Sequence, residues 1–271
     1  MNSGHIAFGT WKIPMEQAAQ VVCDALREGF THIDTAASYA NEAAVGEGIV
    51  ASGMSRQDVY VAGKLWTTRR EYGAAVKACK KSLRNLGLEY FDCYLIHLPA
   101  PSALYDNWEE MNAQTWTALE TLHDEGLARC IGVCNHTPRH LRALERTQRI
   151  APAVDQIECH PGFLPLDTLQ YCSAHSVKTE AWSPLGNGEL LRNPLLCEIA
   201  NDRGRSVAQV CLRWCLQHGL TPVTKTVSRE HMRENMAVFD FELSDQEMER
   251  IDTMPLCGYS GLDPDSGAQF G

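Results

Sequence analysis

Short apolar runs alternate along the chain with longer stretches in which apolar residues recur every three or four positions. The short runs predict buried strands and the longer stretches predict amphipathic helices. The predicted strands cover residues 5–10, 31–35, 59–64, 93–98, 128–134, 153–158, 177–182 and 221–225. The predicted helices cover residues 15–29, 41–53, 72–87, 111–126, 138–148, 167–176, 206–218 and 230–238.

Strand and helix therefore alternate eight times, a pattern that predicts a parallel sheet closed into a single (β/α)8 TIM barrel over residues 1–271. Ser206 is a candidate N-cap, and Gly29, Gly87 and Gly126 follow predicted helices as C-terminal stops. An extra helix over residues 244–254 and a tail follow the last repeat. An open Rossmann sheet is the rival fold, but no GxGxxG turn follows the first strand.

Composition narrows the class of protein. The net charge of −10 argues against a nucleic-acid partner or an acidic lipid surface, and no apolar run reaches the roughly 20 residues of a membrane span. The N-terminal segment lacks the features of a signal peptide. We expect a cytoplasmic protein without nucleic-acid or membrane partners, and nothing in the sequence demands an oligomer, so we expect a monomer.

Cysteine is frequent, with 11 residues scattered through apolar runs. An odd number without a regular framework favours reduced thiols. The pairs Cys130/Cys134 and Cys211/Cys215 have a metal-like spacing, but neither has a second ligand pair at a suitable distance, so we expect no metal site. Small buried side chains explain them better.

The segment HIDTAASY, residues 32–39, carries the first candidate chemistry. Asp34 and Tyr39 come where a strand becomes a loop, while Lys64 and His97 come at or just past the ends of two later strands. On a barrel these ends meet at the face where active sites form. Each residue has an ordinary structural interpretation by itself, but their joint occurrence on three successive strands favours catalysis.

These residue types suit the protonation of a carbonyl oxygen that gains negative charge. A tyrosine holds its proton at neutral pH and is a better acid when its pKa is lowered. We expect Lys64 to lower the pKa of Tyr39 and Asp34 to hold the ammonium of Lys64. His97 would orient the substrate oxygen.

Two further segments indicate an anionic ligand. Lys225, Thr226 and Ser228 precede a predicted helix whose free N–H groups favour a phosphate, although an ordinary capping loop would look the same. Trp182, at a strand end before a Ser-Pro-Leu-Gly turn, suits a stacked flat ring, although a buried Trp beside a simple turn is the alternative. The longer loops, about 99–110 and 184–198, are predicted on the same face.

Motifs over nearly the whole chain then resemble one family. They include GTW at 9–11, DTAASYANE at 34–42, YLIHLP at 94–99, DQIECHP at 155–161 and TKTVSREHMREN at 224–235. Together these resemble the aldo-keto reductase superfamily, above all its bacterial 2,5-diketo-gluconate reductase and glyoxal or methylglyoxal reductase type. The resemblance implies a (β/α)8 barrel that binds NADP(H) and reduces an aldehyde or ketone by hydride transfer.

The resemblance also implies roles by motif. The catalytic residues would be Asp34, Tyr39, Lys64 and His97. The cofactor-binding residues would be Thr10, Asn135, Gln156, Trp182, Ser183, Leu185, Lys225, Thr226, His231, Glu234 and Asn235. Of these, Asn135 and Gln156 would bind the carboxamide, Trp182 would stack on the nicotinamide, and Thr10 would line its ribose. The substrate pocket would be walled by Trp11, Trp66, Leu98 and the 99–110 loop.

This chain departs from the family pattern in four places. Cys134 replaces the usual Ser before Asn135, and Leu98 replaces the usual Trp after the catalytic His. His231 stands where an Arg usually grips the 2′-phosphate. A neutral imidazole there would weaken the NADP(H) preference by about 1.5–3 kcal/mol, so we expect NAD(H) to be usable. Lastly, the family's N-terminal capping hairpin is shortened, which brings the first barrel strand close to residues 6–8.

Two other interpretations stay open. The chain could be a nicotinamide-binding redox sensor or regulatory subunit with little turnover, because such a protein can retain all four catalytic residues. Cys134 could also be a redox switch at the cofactor site, although a buried Cys more often only packs. The physiological substrate is not readable from the sequence.

Overall fold

Eight parallel strands form the centre of the molecule in a computed structural model that describes residues 6–266. The strands are β1 (Ala7–Gly9), β2 (His32–Asp34), β3 (Tyr60–Leu65), β4 (Phe91–Ile96), β5 (Ala128–Cys134), β6 (Val154–Glu158), β7 (Lys178–Trp182) and β8 (Thr221–Thr224). They pair in sequence order, and β1 also pairs with β8, so the sheet closes into a barrel. The predicted (β/α)8 fold is confirmed.

The parallel register brings the ends of the strands that carry the predicted catalytic residues to one face of the barrel. Asp34 pairs with Ala62 on β3, and Lys64 pairs with Leu95 on β4. Because successive side chains of a strand alternate between the two faces of the sheet, Ala62 and Lys64 both point into the barrel. The strand ends therefore bring Asp34, Lys64 and the residue after β4 together.

Ten α-helices lie in the described residues. They are α1 (Met15–Arg27), α2 (Glu42–Ser52), α3 (Tyr72–Leu86), α4 (Trp108–Asp124), α5 (Pro138–Glu145), α6 (Leu166–Ala174), α7 (Pro194–Arg203), α8 (Val207–Gln217), α9 (Arg229–Met236) and α10 (Asp245–Asp252). Ser206 caps α8 in a capping box with Gln209, as its sequence position predicts. Gly87 ends α3 in the left-handed conformation, with a φ of 65°.

One helix lies where the sequence predicted a loop. The 184–198 segment holds a 3-10 stretch over Gly186–Arg192 and then the start of α7. Asn193 caps α7 by accepting hydrogen bonds from the backbone N–H groups of Leu195 and Leu196, and Pro194 occupies its first turn. The Asn-Pro pair was a readable start signal, but the short apolar spacing after it hid the helix.

Close helix packing depends on small residues in α2. A Cβ added to Gly46 would lie 2.1 Å from the carbonyl oxygen of Leu86, and one added to Gly48 would lie 2.5 Å from that of Ala19. These contacts let α2 lie directly against α1 and the end of α3. The fully buried Phe8, on β1, belongs to the main apolar core between the sheet and these helices.

The chain ends fall partly outside the described residues. The shortened capping hairpin was predicted ahead of residue 6, and residues 1–5 lie outside the description. Within it, β1 begins at Ala7, close to the predicted start. No helix among residues 6–266 is long and apolar enough to cross a membrane.

Candidate active site

Four predicted catalytic residues meet at the carboxyl end of the barrel. Asp34 is the last residue of β2 and Lys64 lies near the end of β3. His97 follows β4 directly, and Tyr39 ends a 3-10 turn that follows β2. Ala40, at a φ of 57°, turns the chain away from this face.

The centre of the group is a buried ion pair. Lys64 and Asp34 are only 1% and 2% exposed, and the Lys64 Nζ lies 2.5 Å from Asp34 Oδ1 and 2.6 Å from Oδ2. Burial disfavours the ammonium, but the negative charge of Asp34 and the phenol of Tyr39 outweigh it and raise the pKa of Lys64. Lys64 is therefore cationic at neutral pH, and it donates to the Tyr39 hydroxyl at 3.2 Å.

The pKa of Tyr39 is raised, whereas the sequence predicted that Lys64 would lower it. Burial raises its pKa to about 12, although Lys64 pulls in the opposite direction. The direction of the Lys64 effect was predicted correctly, but desolvation of the phenolate exceeds it. Tyr39 thus keeps its proton throughout the neutral range and remains available as a donor.

His97 lies beside the phenol as a neutral imidazole. Burial, followed by the positive charge of Lys64, holds its pKa well below the usual range. Its ring centroid is 5.8 Å from that of Tyr39 and 5.2 Å from that of Trp66, both in edge-on contacts. The neutral ring can hydrogen-bond a carbonyl oxygen without adding a charge.

Asn135, Trp182 and Gln156 lie together next to this group. Asn135, at a φ of 59°, donates to the His97 carbonyl at 3.0 Å and accepts from the Trp182 indole at 2.9 Å. The Gln156 Nε2 donates to Asp34 Oδ2 at 2.9 Å and to Glu180 Oε2 at 2.7 Å. Both amide hydrogens are used, so Oε1 is the atom of Gln156 that can accept from a ligand.

Sequence reasoning missed Glu180. It is 6% exposed inside the barrel and binds Gln156, which itself binds Asp34. Its position two residues before Trp182 on β7 was a usable signal, because alternate residues of a strand share a face.

Thr10 supports the backbone of Asp34. Its side chain is fully buried and its hydroxyl donates to the Asp34 carbonyl at 3.0 Å, as does its backbone N–H. The carbonyl of Thr10 accepts from Asn41. A role for Thr10 at the nicotinamide ribose stays a prediction.

The segment predicted to bind phosphate lies around the start of α9. Lys225 is exposed and Thr226 is half-buried, and Ser228 caps the helix by accepting from the backbone N–H of His231. His231 is itself exposed and Glu234 half-buried.

Two other predicted cofactor positions differ in exposure. Ser183, at a φ of 51°, is half-buried and donates to Asn187 at 3.0 Å, and Leu185 is half-buried beside it. Asn235 is only 3% exposed, and its amide donates to Thr224 at 3.4 Å. A contact between Asn235 and an adenine stays a prediction.

Of the predicted substrate walls, Trp66 contacts the catalytic group. Trp11 is half-buried with the Lys12 ammonium 4.1 Å from its ring, and Trp66 is half-buried against His97. Leu98 is 6% exposed and therefore contributes little surface. Arg70 donates to the carbonyls of Leu98 and Pro99, a loop anchor that the sequence did not reveal.

The Cys134 thiol is buried and protonated, and is therefore unreactive. It is 1% exposed, and burial is the main reason that the pKa of its thiol is raised well above the ordinary value. The protonated thiol is a poor nucleophile, so the redox-switch interpretation of Cys134 gains no support. Cys130 and Cys134 are four residues apart on β5, roughly 13 Å, which is too far to share a metal ion.

Comparison with known proteins identifies the family. The Aldo/keto reductase family profile matches residues 4–255. The glyoxal reductase of Bacillus subtilis is 40% identical over 249 residues, covering 92% of this chain and 87% of the relative. The 9,11-endoperoxide prostaglandin H2 reductase of Trypanosoma cruzi is 39% identical over 265 residues, covering 96% and 91%.

Solved structures of aldo-keto reductases also resemble this chain. A Gox0644 mutant in complex with NADPH matches with a TM-score of 0.90 and 34% identity, covering 98% of this chain and 94% of that one. A Bombyx mori aldo-keto reductase in complex with NADP matches with a TM-score of 0.86 and 30% identity, covering 95% and 91%. The chain belongs to the aldo/keto reductase family. It is an oxidoreductase, an NAD(P)H-dependent carbonyl reductase with NADP(H) as its cofactor.

Proposed function

We propose that this chain reduces small aldehydes and ketones to alcohols, with NADPH preferred and NADH usable, and with Tyr39 as the general acid. It would act as one domain over residues 1–271, as a cytoplasmic monomer. The observation that carries the proposal is the chain of contacts from Asp34 through Lys64 to Tyr39, with neutral His97 alongside. Such an arrangement, at the ends of two barrel strands and the turn beside them, is suited to deliver a proton to an oxygen.

The protein's own part in the reaction is proton delivery. NADPH, when bound, supplies the hydride that reduces the carbonyl carbon. His97 would hold the carbonyl oxygen by a hydrogen bond and direct it toward the Tyr39 hydroxyl. Tyr39 then donates its proton, which is favourable because an alkoxide is a stronger base than a phenolate. Lys64, at 3.2 Å from the phenol oxygen, stabilises the phenolate that remains.

The residues present suit a nicotinamide cofactor. A carboxamide offers one donor and one acceptor group, which the Oε1 of Gln156 and the amide of Asn135 could meet. The half-buried Trp182 ring offers a stacking surface next to Asn135. Ser183 and Leu185 lie on the turn that follows, where a pyrophosphate would run.

The 2′-phosphate end supports a weak NADPH preference. The exposed Lys225 and the start of α9, with Thr226 beside it, supply an anion site. His231 stands where the resemblance implies an arginine, and an imidazole lacks the bidentate fork with which a guanidinium holds a phosphate. Arg229 and Arg233 do not replace the missing arginine, because both form ion pairs with Glu28. Glu234 and Asn235, on the same helix, would contact the adenine.

The substrate would be a small carbonyl compound. Trp66 is half-buried beside His97, Trp11 is the second predicted aromatic wall and is also half-buried, and a glyoxal reductase is among the relatives at 40% identity. A compact α-oxoaldehyde suits such a site, since it is small enough to bring one carbonyl to Tyr39 beside the Trp66 ring.

The test is nicotinamide oxidation by the purified chain, followed by absorbance, with methylglyoxal, phenylglyoxal and 4-nitrobenzaldehyde. NADPH and NADH are run in parallel. We expect turnover with both cofactors and higher kcat/KM with NADPH. Cofactor binding without turnover on any of these carbonyls would overturn the proposal and favour the sensor interpretation.

A further inference from the structure

Two cysteines meet at the opposite end of the barrel from the candidate active site. Cys93 on β4 and Cys130 on β5 are register partners on neighbouring parallel strands. Register partners in a parallel sheet point to the same face, and both residues belong to one cluster inside the barrel, with Ala62 and Tyr60. Cys130 is four residues before Cys134 on β5, so this site lies roughly 13 Å below the cofactor end.

The pair has the spacing that a disulfide needs. Neighbouring strands lie about 4.8 Å apart, within the roughly 4.4–6.8 Å that separates the Cα atoms of bonded cysteines. Cys93 is 1% exposed, whereas Cys130 is half-buried. The two thiols therefore differ in access, and a reagent from solvent meets Cys130 first.

Cys130 opens onto a cavity of about 430 Å³ at the N-terminal ends of the strands. Its lining includes Tyr60, Asp92 and Arg129. The carboxylate of Asp92 is paired with Arg56 and Arg129, so its charge is largely compensated. The cavity has room for a small reagent beside the thiol.

Hydrogen bonds around Cys130 favour its thiolate. The Tyr60 hydroxyl lies 3.5 Å from the Cys130 sulfur. Burial holds the pKa of Tyr60 far above its usual value, so the phenol stays protonated and can donate. Hydrogen bonding from Cys93, followed by that from Tyr60, outweighs burial and lowers the pKa of Cys130, whereas burial raises that of Cys93. A thiol of lowered pKa beside one of raised pKa is the arrangement in which one sulfur attacks and the other resolves.

We propose that Cys93 and Cys130 form a redox-active dithiol, in which a small hydroperoxide oxidises Cys130 and Cys93 converts the product into an intramolecular disulfide. In the first step the Cys130 thiolate attacks the terminal peroxide oxygen. The S–O bond forms, the O–O bond breaks, and the alcohol leaves with a proton from solvent. Cys130 is now a sulfenic acid, and the peroxide has taken two electrons.

In the second step the sulfur of Cys93 attacks the sulfenic sulfur. The S–S bond forms, the S–O bond breaks, and the hydroxyl leaves as water with the proton of Cys93. An external thiol can reverse the change by exchange. The site is separate from carbonyl reduction, so its test does not depend on that activity.

The experiment treats the intact chain with hydrogen peroxide, blocks the remaining thiols with N-ethylmaleimide, and maps the unreduced peptides by mass spectrometry. We expect a Cys93–Cys130 linked peptide, lighter by two hydrogens than the two free peptides together. In the same sample, the half-buried Cys197 and Cys257 serve as internal controls and should react at least about 10-fold more slowly.

Variants separate the attacking role of Cys130 from the resolving role of Cys93. With Cys93→Ser, the sulfenic acid on Cys130 should persist and be trapped by dimedone. With Cys130→Ser, Cys93 should stay reduced. Tyr60→Phe should slow Cys130 oxidation about 5-fold, the loss of one hydrogen bond, while Cys197→Ser, the matched control, should leave the linked peptide unchanged.

Three results would overturn the proposal. One is wild-type Cys130 reacting no faster than Cys197 and Cys257, a measurement that needs no variant to fold. Another is Cys130 linked mainly to a thiol other than Cys93. The third is Cys130 passing to sulfinic acid while Cys93 remains open to alkylation.

Discussion

Lys64 holds both carboxylate oxygens of Asp34, with its Nζ 2.5 Å from Oδ1 and 2.6 Å from Oδ2. The two side chains are 1% and 3% exposed, so each charge depends on the other for its solvation. A buried ion pair contributes little net stability, but removing one partner is costly because it leaves the other charge uncompensated. The pair therefore fixes the position of the ammonium beside Tyr39.

Lys64→Met should lower the free energy of unfolding by about 3–5 kcal/mol, because the Asp34 carboxylate loses its partner in a buried site. Urea unfolding measures it. The control is Lys80→Met, which removes an exposed pair with Glu125 of 2.8 Å, each side chain 42% exposed, and should cost under about 1 kcal/mol.

The double variant Asp34→Asn with Lys64→Met removes both charges together. We expect it to recover more than half of the loss seen in Lys64→Met, because no unpaired charge remains. If the double variant is as unstable as the sum of the two single variants, the ion pair is not the cause.

Tyr39→Phe should lower kcat by about 10²–10⁴, the usual contribution of a general acid, since the ring stays and only the hydroxyl that donates the proton is lost. The Kd for NADPH, measured by fluorescence quenching, should change less than about twofold. The matched control is Tyr72→Phe, whose hydroxyl contacts Thr121 on an exposed surface and whose loss should not change kcat. Turnover near the wild-type value in Tyr39→Phe would assign the acid elsewhere.

Much of the fold and of the candidate site was predictable from the sequence, because the signals are local. Strand β5 was predicted over residues 128–134, where it is found. Asp34, Lys64 and His97 were chosen by position alone, as polar residues at the ends of apolar runs. Closure of the barrel then brings those ends together, which is why local signals were sufficient.

The remaining features depend on contacts between distant segments. Thr10 was assigned to the cofactor from a motif, whereas its hydrogen bond to the backbone of Asp34 exists only in the folded structure. The role of Glu180 follows from its hydrogen bond with Gln156, which only the folded structure shows. The pKa of Tyr39 is decided by how completely the fold removes water from it, and no sequence pattern encodes that balance between burial and the charge of Lys64.

His231→Arg should raise the ratio of kcat/KM for NADPH over NADH by about 10- to 100-fold. A guanidinium at the start of α9 can form a charge-assisted hydrogen bond of roughly 1.5–3 kcal/mol with the 2′-phosphate. Steady-state kinetics with both cofactors measures it. His175→Arg adds the same charge at another exposed position and should leave the ratio unchanged. An unchanged ratio in His231→Arg would remove this residue from the cofactor site.

His136 should make the protein less stable in acid. Burial, with a smaller effect of His140, lowers its pKa to about 3, and its Nδ1 lies 2.9 Å from the Cys134 carbonyl. In the unfolded chain the pKa of His136 is near 6.5, so the unfolded state takes up a proton at a higher pH than the folded state does. The free energy of unfolding is therefore unaffected by His136 above about pH 6.5 and falls as the pH falls toward 3. Between pH 7 and pH 5 the loss should be roughly 2 kcal/mol.

His136→Asn isolates this contribution, because the amide can still donate to the Cys134 carbonyl but does not titrate. Urea unfolding at pH 7 and pH 5 should show a difference smaller by roughly 2 kcal/mol in the variant. The buried Asp155, which accepts from the His136 backbone at 3.4 Å, has a raised pKa and acts in the opposite direction, but it is common to both proteins. The exposed control His231→Asn should keep the wild-type difference; an equal difference in His136→Asn would mean that another group governs the acid transition.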